Sequence, residues 1–256
     1  MTQENLLRRF DGRVALVTGA SSGIGRAVAV RLAGEGASVL ACDVDAAGLE
    51  TLGKELPDDA GRIVGRVTDV RDRAACFAAI EDAVAEFGRL DVLGNVAGIL
   101  RTGHVTDVSE DEYRLMFAIN TDAYFFFAQA AIPHLLATRG NIVNIASNSG
   151  LMGGAYTVLY CMTKGAVVQL TRALAMEFLK KKIRINAIAP GGTETALVAG
   201  TAFPDDVDYD LIGRYMVPRR MAKPDDIAKL FAFVASDDGR NIHGAILSSD
   251  GGVTAG

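Results

Sequence analysis

Tryptophan is absent, and cysteine, histidine and proline are scarce: three, three and six residues in a chain of 256. The cysteines, Cys42, Cys76 and Cys161, are odd in number and far apart, and none stands in a Cys-x-x-Cys pair. That excludes a disulfide framework or a cysteine zinc site and suits a reducing compartment. His104, His134 and His243 are too scattered for a ligand set, so no metal is expected. Positive charge is not in excess either. The 26 Lys and Arg against 31 Asp and Glu give −5, whereas a nucleic-acid or anionic-membrane partner wants a basic face. An uninterrupted membrane-length apolar run is also lacking, because Asn120, Asp122, Gln129, Pro133 and His134 break up the stretch 115–137. The opening Met1-Thr-Gln-Glu-Asn5 carries acid and amide where a signal peptide needs a basic start. The expectation is a cytoplasmic protein with a small-molecule partner.

What is present is material for a core, since half the chain is hydrophobic. At this length folding buries roughly 70–75% of the unfolded surface, so no metal or disulfide staple is needed. Short Val- and Ile-rich runs over 14–17, 37–40, 63–64, 90–93, 141–145, 183–185 and 245–247 read as strands. Helical periods fill 24–35, 46–55, 72–87, 110–137, 156–180 and 224–236. Ser109-Glu-Asp-Glu112 has the spacing of a capping box, and Pro224-Asp-Asp226 puts proline and acid in a first turn. Strand and helix in alternation imply crossover units and a parallel sheet covered on both faces. No linker, composition shift or repeat divides the chain, so 1–256 is expected to be one α/β domain with a doubly wound parallel sheet. The excursion 196–217 breaks the pattern and reads as a substrate-binding loop.

The first strand runs directly into Thr18-Gly-Ala-Ser-Ser-Gly-Ile-Gly25 and then a helix. A tight glycine turn lets backbone touch a pyrophosphate, and the helix N-terminus supplies amides and dipole to it. Asp43 ends the second strand, 18 residues beyond Gly25, near the spacing of a ribose-binding acid; a helix cap is the competing reading. Tyr160 and Lys164 are four apart in a helical segment and so share a face, with Ser147 at a strand end 13 residues before Tyr160.

These elements together resemble the short-chain dehydrogenase/reductase family across nearly the whole length. The turn at 18–25, Asn95-Val-Ala-Gly98, Asn120, Ser147, Tyr160 with Lys164, Pro190-Gly191 and Asp250-Gly-Gly252 fall in that family's order. The one departure is Val96, where the family's Asn-Asn-Ala-Gly has its second asparagine. The resemblance implies a Rossmann fold and catalysis by Asn120, Ser147, Tyr160 and Lys164. It implies cofactor contacts from Gly19, Ser21, Ser22, Gly23, Ile24, Gly25, Asp43, Asn95, Ala97, Gly98, Tyr160 and Lys164. Asp69 and Val70 would meet the adenine, and Pro190, Gly191, Thr193 and Thr195 the carboxamide and phosphate. Asn120 would hold a water that links Lys164 to solvent, and the assembly would be a homotetramer.

The chemistry expected is hydride transfer between NAD(H) and a secondary alcohol or ketone of hydroxysteroid, diol, sugar-alcohol or hydroxy-acid type. Tyr160 would be the general acid and base, its phenolate favoured by Lys164, and Ser147 would orient the substrate oxygen. NAD is expected over NADP because Asp43 and Asp45 would repel the extra phosphate, with Arg26 and Arg66 the cations able to offset them. An NADPH-dependent 3-oxoacyl-[acyl-carrier-protein] reductase shares every catalytic residue and stands as the alternative. A non-catalytic nucleotide-sensing protein on the same fold is the reading from another class. Substrate contacts are expected from 101–104, 151–156 and the 196–217 loop. Arg101 and His104 read either as contacts for an acidic substrate or as solvated loop residues. The aromatic run from Tyr124 to Phe127 and the multiply apolar helix 165–178 read as an assembly surface, or as core.

Overall fold

A computed structural model describes residues 8–57, 59–216 and 219–255. The N-terminal pentapeptide and Val217 of the long excursion lie outside the described residues. Seven parallel strands form one sheet in the order β3-β2-β1-β4-β5-β6-β7. They are β1 (Val14–Thr18), β2 (Ser38–Asp43), β3 (Ile63–Val67), β4 (Val92–Asn95), β5 (Asn141–Ile145), β6 (Arg184–Pro190) and β7 (Ile246–Ser249). β1 and β5 are buried along their whole length, as strands covered on both faces must be. The helices are α1 (Gly23–Gly34), α2 (Ala46–Glu50), α3 (Arg73–Phe87), α4 (Glu110–Phe117), α5 (Ala123–Thr138), α6 (Val158–Glu177), α7 (Ala196–Ala199), α8 (Tyr209–Gly213) and α9 (Pro224–Ala235).

The core has two main layers. On one face α1 and α9 bring Val28, Leu32, Ile227 and Phe231 against β1, β2 and β5. On the other, α3 and α5 bring Cys76, Ile80, Phe127 and Leu135 against the sheet. Gly94 in β4 leaves room for Phe231, whose ring would stand 2.9 Å from a Cβ at that position. The sheet order reverses between β1 and β4, and the chain turns away from their carboxyl ends in opposite directions. A crevice for a ligand opens at such a point.

The capping box forms as the spacing predicts: the Ser109 hydroxyl receives the Glu112 amide at 3.2 Å and the Glu112 carboxylate receives the Ser109 amide at 3.2 Å. Two expected helices are not continuous. The 46–55 segment stops at Glu50 and continues as a 3₁₀ turn, Leu52–Glu55, with Gly53 inside it. The 110–137 segment is broken by a π turn, Ala118–Asp122, that contains Asn120. Its apolar composition serves the core, since Ala123, Tyr124, Phe127, Ala131 and Leu135 are buried.

Candidate active site

The glycine turn is built by close approach. Gly19 has φ +66°, and a Cβ there would lie 2.8 Å from the Ala97 Cα. A Cβ at Gly25 would lie 2.0 Å from the Gly19 carbonyl oxygen, so neither position admits a side chain. The buried Thr18 hydroxyl receives the Val96 and Ala97 amides at 2.9 and 3.1 Å, which draws the loop after β4 against the turn. At the head of α1, Ser22 makes no side-chain cap and the first turn holds no acid. Its orphan amides and the helix dipole are therefore available to an anion.

The turn opens on a cavity of about 510 Å³. Gly19, Ser21, Ser22, Gly23, Ile24 and Gly25 line it at the centre, and Asp43, Asp69 and Val70 at one end. Ala97, Gly98, Ser147, Tyr160 and Lys164 form the opposite wall, and Pro190, Gly191, Thr193 and Thr195 close it from β6. A side-chain-free cradle, free amides and a carboxylate at the end of β2 fit a dinucleotide. Two expected contacts stand behind the wall. Asn95 is 1% exposed and turns toward β5, donating to the Asn144 side-chain oxygen at 3.0 Å. Asn120 is fully buried: its Oδ1 receives the Ile99 amide at 2.8 Å, and its Nδ2 donates to the Ile99 carbonyl at 2.9 Å and Thr163 Oγ1 at 3.2 Å. The Asn120 amide is fully used in holding the 96–99 loop to α6, whereas Asn95 braces β4 against β5 and leaves its Oδ1 without a hydrogen-bond partner among the described residues. Val96 lies just past the end of β4, packs against the core and contributes to the cavity wall.

Asp43 receives the Ser21 amide at 3.0 Å and the Asp45 amide at 3.1 Å. The two arginines able to offset it are engaged elsewhere. Arg26 donates to Thr51 Oγ1 at 2.9 Å, and Arg66 to Asp82 at 2.5 Å and Thr68 Oγ1 at 2.9 Å. Sequence reasoning missed Arg71, which also lines the cavity and folds onto Asp69 with Nε 2.9 Å from Oδ1. That contact holds the Asp69 carboxyl below the usual carboxylate range.

Ser147 follows β5 by two residues, and Tyr160 and Lys164 project from one face of α6. The Ser147 hydroxyl receives the Ser149 amide at 3.1 Å and donates to Asn148 Oδ1 at 3.2 Å. Lys164 is 3% exposed; its ammonium donates to the Ile145 carbonyl at 2.8 Å and lies 5.9 Å from the Tyr160 ring centroid. Burial without a counter-ion pushes this lysine down to about 7. Burial pushes the Tyr160 phenol up to about 12, against the pull of the Ser147 hydroxyl. A protonated phenol beside a hydroxyl and a buried amine can give a proton to an oxygen. With further positive charge nearby it can also take one back.

Residues from 196 to 216 pack against His104 and the 155–156 segment. His104 Nε2 is 2.9 Å from Asp206 Oδ1, the Tyr156 phenol oxygen receives the Asp208 amide at 2.8 Å, and Tyr215 donates to the Ala155 carbonyl at 2.5 Å. Leu197 and Val198 from α7 join Ile99 as the apolar part of the cavity wall. Arg101 is exposed and donates to the adjoining Leu100 carbonyl at 3.4 Å.

A family profile described as enoyl-(acyl carrier protein) reductase matches residues 19–254. The chain is 38% identical to a meso-2,3-butanediol dehydrogenase of Serratia marcescens over 247 residues, 96% of each chain. It is 39% identical to a D-threitol dehydrogenase of Mycolicibacterium smegmatis, covering 96% of this chain and 94% of that one. Among solved structures, a 3-ketoacyl-(acyl-carrier-protein) reductase from Brucella melitensis complexed with NADH superposes with a TM-score of 0.86 at 33% identity. A short-chain dehydrogenase from Burkholderia cenocepacia in complex with NADP superposes with 0.85 at 33%. Each structural match covers 96% of this chain and 99% of the other. The chain belongs to the short-chain dehydrogenase/reductase family, single-domain Rossmann oxidoreductases that move a hydride between a nicotinamide dinucleotide and a secondary alcohol or ketone.

Proposed function

We propose that the chain is an NAD-dependent dehydrogenase of secondary alcohols of the diol or sugar-alcohol class, acting reversibly on the corresponding ketones. The observation that carries this is the convergence of Ser147, Tyr160 and Lys164 on one wall of a cavity whose far end presents Asp43. The butanediol and threitol dehydrogenases among the relatives support the substrate class. Held by the glycine turn and Asp43, NAD would supply the hydride acceptor for the carbinol carbon in oxidation, and NADH the hydride donor in reduction. The rest of the chemistry falls to this chain.

The Ser147 hydroxyl hydrogen-bonds the substrate oxygen and fixes its orientation. Tyr160 takes the hydroxyl proton in oxidation and returns it to the carbonyl oxygen in reduction. The Lys164 ammonium favours the phenolate that must be present before the proton is taken and that is left once it is returned. Asn120 acts through position, clipping the 96–99 loop to α6 through Ile99 and Thr163. Residues from 196 to 216 form the cover on the substrate side. A homotetramer is supported by the outward Phe125, Val158 and Met162, which are 47, 43 and 49% exposed. A cytoplasmic setting is supported by three free cysteines.

The test is a panel of secondary alcohols with NAD, followed by nicotinamide absorbance. Vicinal diols or polyols should lead it. Preference for a 3-oxoacyl thioester with NADPH would replace this reading; the Brucella neighbour's name supports that substrate class but its structure was solved with NADH.

A further inference from the structure

Tyr124 lies on the first turn of α5 with its side chain in the core, 1% exposed. Its phenol oxygen is 3.0 Å from the Ala97 carbonyl, 3.1 Å from the Ile145 carbonyl and 3.3 Å from Lys164 Nζ. A phenol has one proton and can donate it to only one of those carbonyls. Whichever carbonyl takes it, a phenol lone pair is left facing the ammonium, which also donates to the Ile145 carbonyl at 2.8 Å. Two of the three Lys164 N–H bonds are thereby fixed, by Tyr124 and Ile145, and the third is left for the cavity that Lys164 lines.

The surroundings give this contact its weight. The groups facing Lys164 are Tyr124 from α5, Tyr160 from α6, the Ile145 carbonyl at the end of β5, and Asn120 from the π turn beside Gly98. All are uncharged at neutral pH, and among the described residues no carboxylate pairs with this lysine. A buried cation without a counter-ion stays charged only as far as neutral acceptors hold it. The ammonium also lies 5.2 Å from the Tyr124 ring centroid.

We propose that Tyr124 is a positioning residue of the reaction, its phenol oxygen keeping the Lys164 ammonium charged and turned toward Tyr160. This rests on the reading of Tyr160 and Lys164 as the proton-handling pair. The test is Tyr124→Phe, which keeps the ring and removes the acceptor. Lys164 is followed in the cofactor-free protein by NMR of ¹³Cε-labelled lysine, its signal assigned by its loss in Lys164→Met. The expected result is a fall in the Lys164 midpoint of about one pH unit, a tenfold loss of proton affinity. Alcohol oxidation should lose about tenfold in kcat near neutrality, its profile shifting to higher pH, with KM for NAD within about twofold. Difluorotyrosine at position 124 preserves the shape while weakening the oxygen as an acceptor, and should move the midpoint the same way. A lower melting temperature with the Lys164 midpoint and pH profile unchanged would make Tyr124 a structural brace and overturn the proposal. If Tyr160→Phe failed to cripple turnover, the site reading would fall while the lysine titration kept its meaning.

Discussion

The carboxylate of Asp43 receives the backbone amide of Ser21 at 3.0 Å, so the acid that ends β2 also braces the glycine turn that follows β1. It is not the cap of α2, which begins after Asp45 and has no side-chain cap. Asp43 lines the cavity while holding the turn, and removing it acts on both.

The cofactor preference follows from that double role. A phosphate on the adenosine ribose beside Asp43 meets like charge, and every 1.4 kcal/mol of repulsion is about tenfold. NAD should exceed NADP by roughly a hundredfold or more in kcat/KM. Asp43→Ala should narrow the gap but also weaken NAD, because the Ser21 amide loses its acceptor. Asp43→Asn keeps an acceptor and removes only the charge, so its gain with NADP isolates the repulsion. The measurement is kcat/KM for both cofactors on one substrate. Equal use of the two by the wild type would refute the assignment.

Proton transfer is tested by Tyr160→Phe, which keeps the packed ring. Turnover should fall by about 10²–10⁴, the usual loss for a general acid or base, while the dissociation constant for NAD stays close to the wild-type value. Ser147→Ala should fall in kcat/KM as well, by removing the hydroxyl that orients the substrate oxygen. Retention of more than about a tenth of the wild-type rate by the phenylalanine variant defeats the mechanism.

The sheet was legible because both of its signals are local. Val- and Ile-rich runs mark strands buried on two faces, and 3.6-residue periods mark the helices that cover them. The glycine turn was legible for the same reason, since close backbone approach leaves glycine no substitute at Gly19 and Gly25. What was hidden depends on through-space partners. Asn95 and Asn120 belong to the family's pattern, yet only the fold shows their amides spent on Asn144, Ile99 and Thr163. The π turn at 118–122 left no mark in the hydrophobic period. Tyr124 stood in an aromatic run that the structure divides, with Tyr124 and Phe127 in the core and Phe125 outside. Nothing in its neighbours signals that it reaches Lys164, 40 positions away. Arg71 was overlooked because the pattern at Asp69-Val70 draws the eye to the acid.

Stability should depend on pH through Lys164. Its folded-state value is lowered to about 7 from 10.5, so between those limits the unfolded chain binds a proton that the cofactor-free fold does not. Stability therefore rises with pH through this window and is penalised below it. Lys164→Met removes the group. Chemical denaturation of both proteins between pH 7 and pH 10 should show the wild type gaining on the variant as pH rises, by up to a few kcal/mol. A constant difference across the window would mean that Lys164 titrates normally.

The 196–216 segment, proposed as the cover over the substrate, is fastened at its middle to the loop after β4. His104 pairs with Asp206 at 2.9 Å and meets the Tyr156 ring edge-on at 5.2 Å, and Phe203 approaches the same ring at 6.5 Å. Tyr156 itself stands at φ +60°, a conformation that a tyrosine keeps only when its surroundings hold it. The Gly103 amide donates to its carbonyl at 2.9 Å, and the Asp208 amide to its hydroxyl at 2.8 Å. Asp206 raises the His104 pKa, with Asp107 adding to the effect, so the pair is fully charged below the ordinary histidine range and is lost as pH climbs through the raised value. Asp206 is exposed and His104 half-buried, at 78 and 35% side-chain exposure, so solvent screens the pair and the effect on substrate binding should be modest. His104→Ala should raise KM for the alcohol by about two- to fivefold at pH 6, with KM for NAD unchanged. The wild-type KM should climb toward that of the variant as pH rises above the ordinary histidine range. Tyr156→Gly relieves the backbone but removes the ring and hydroxyl that the cover rests on, and should cost more. Steady-state kinetics from pH 6 to pH 9 decide the matter. If wild type and His104→Ala keep the same KM at every pH, the pair does not hold the cover, which then rests on Tyr156 and Tyr215.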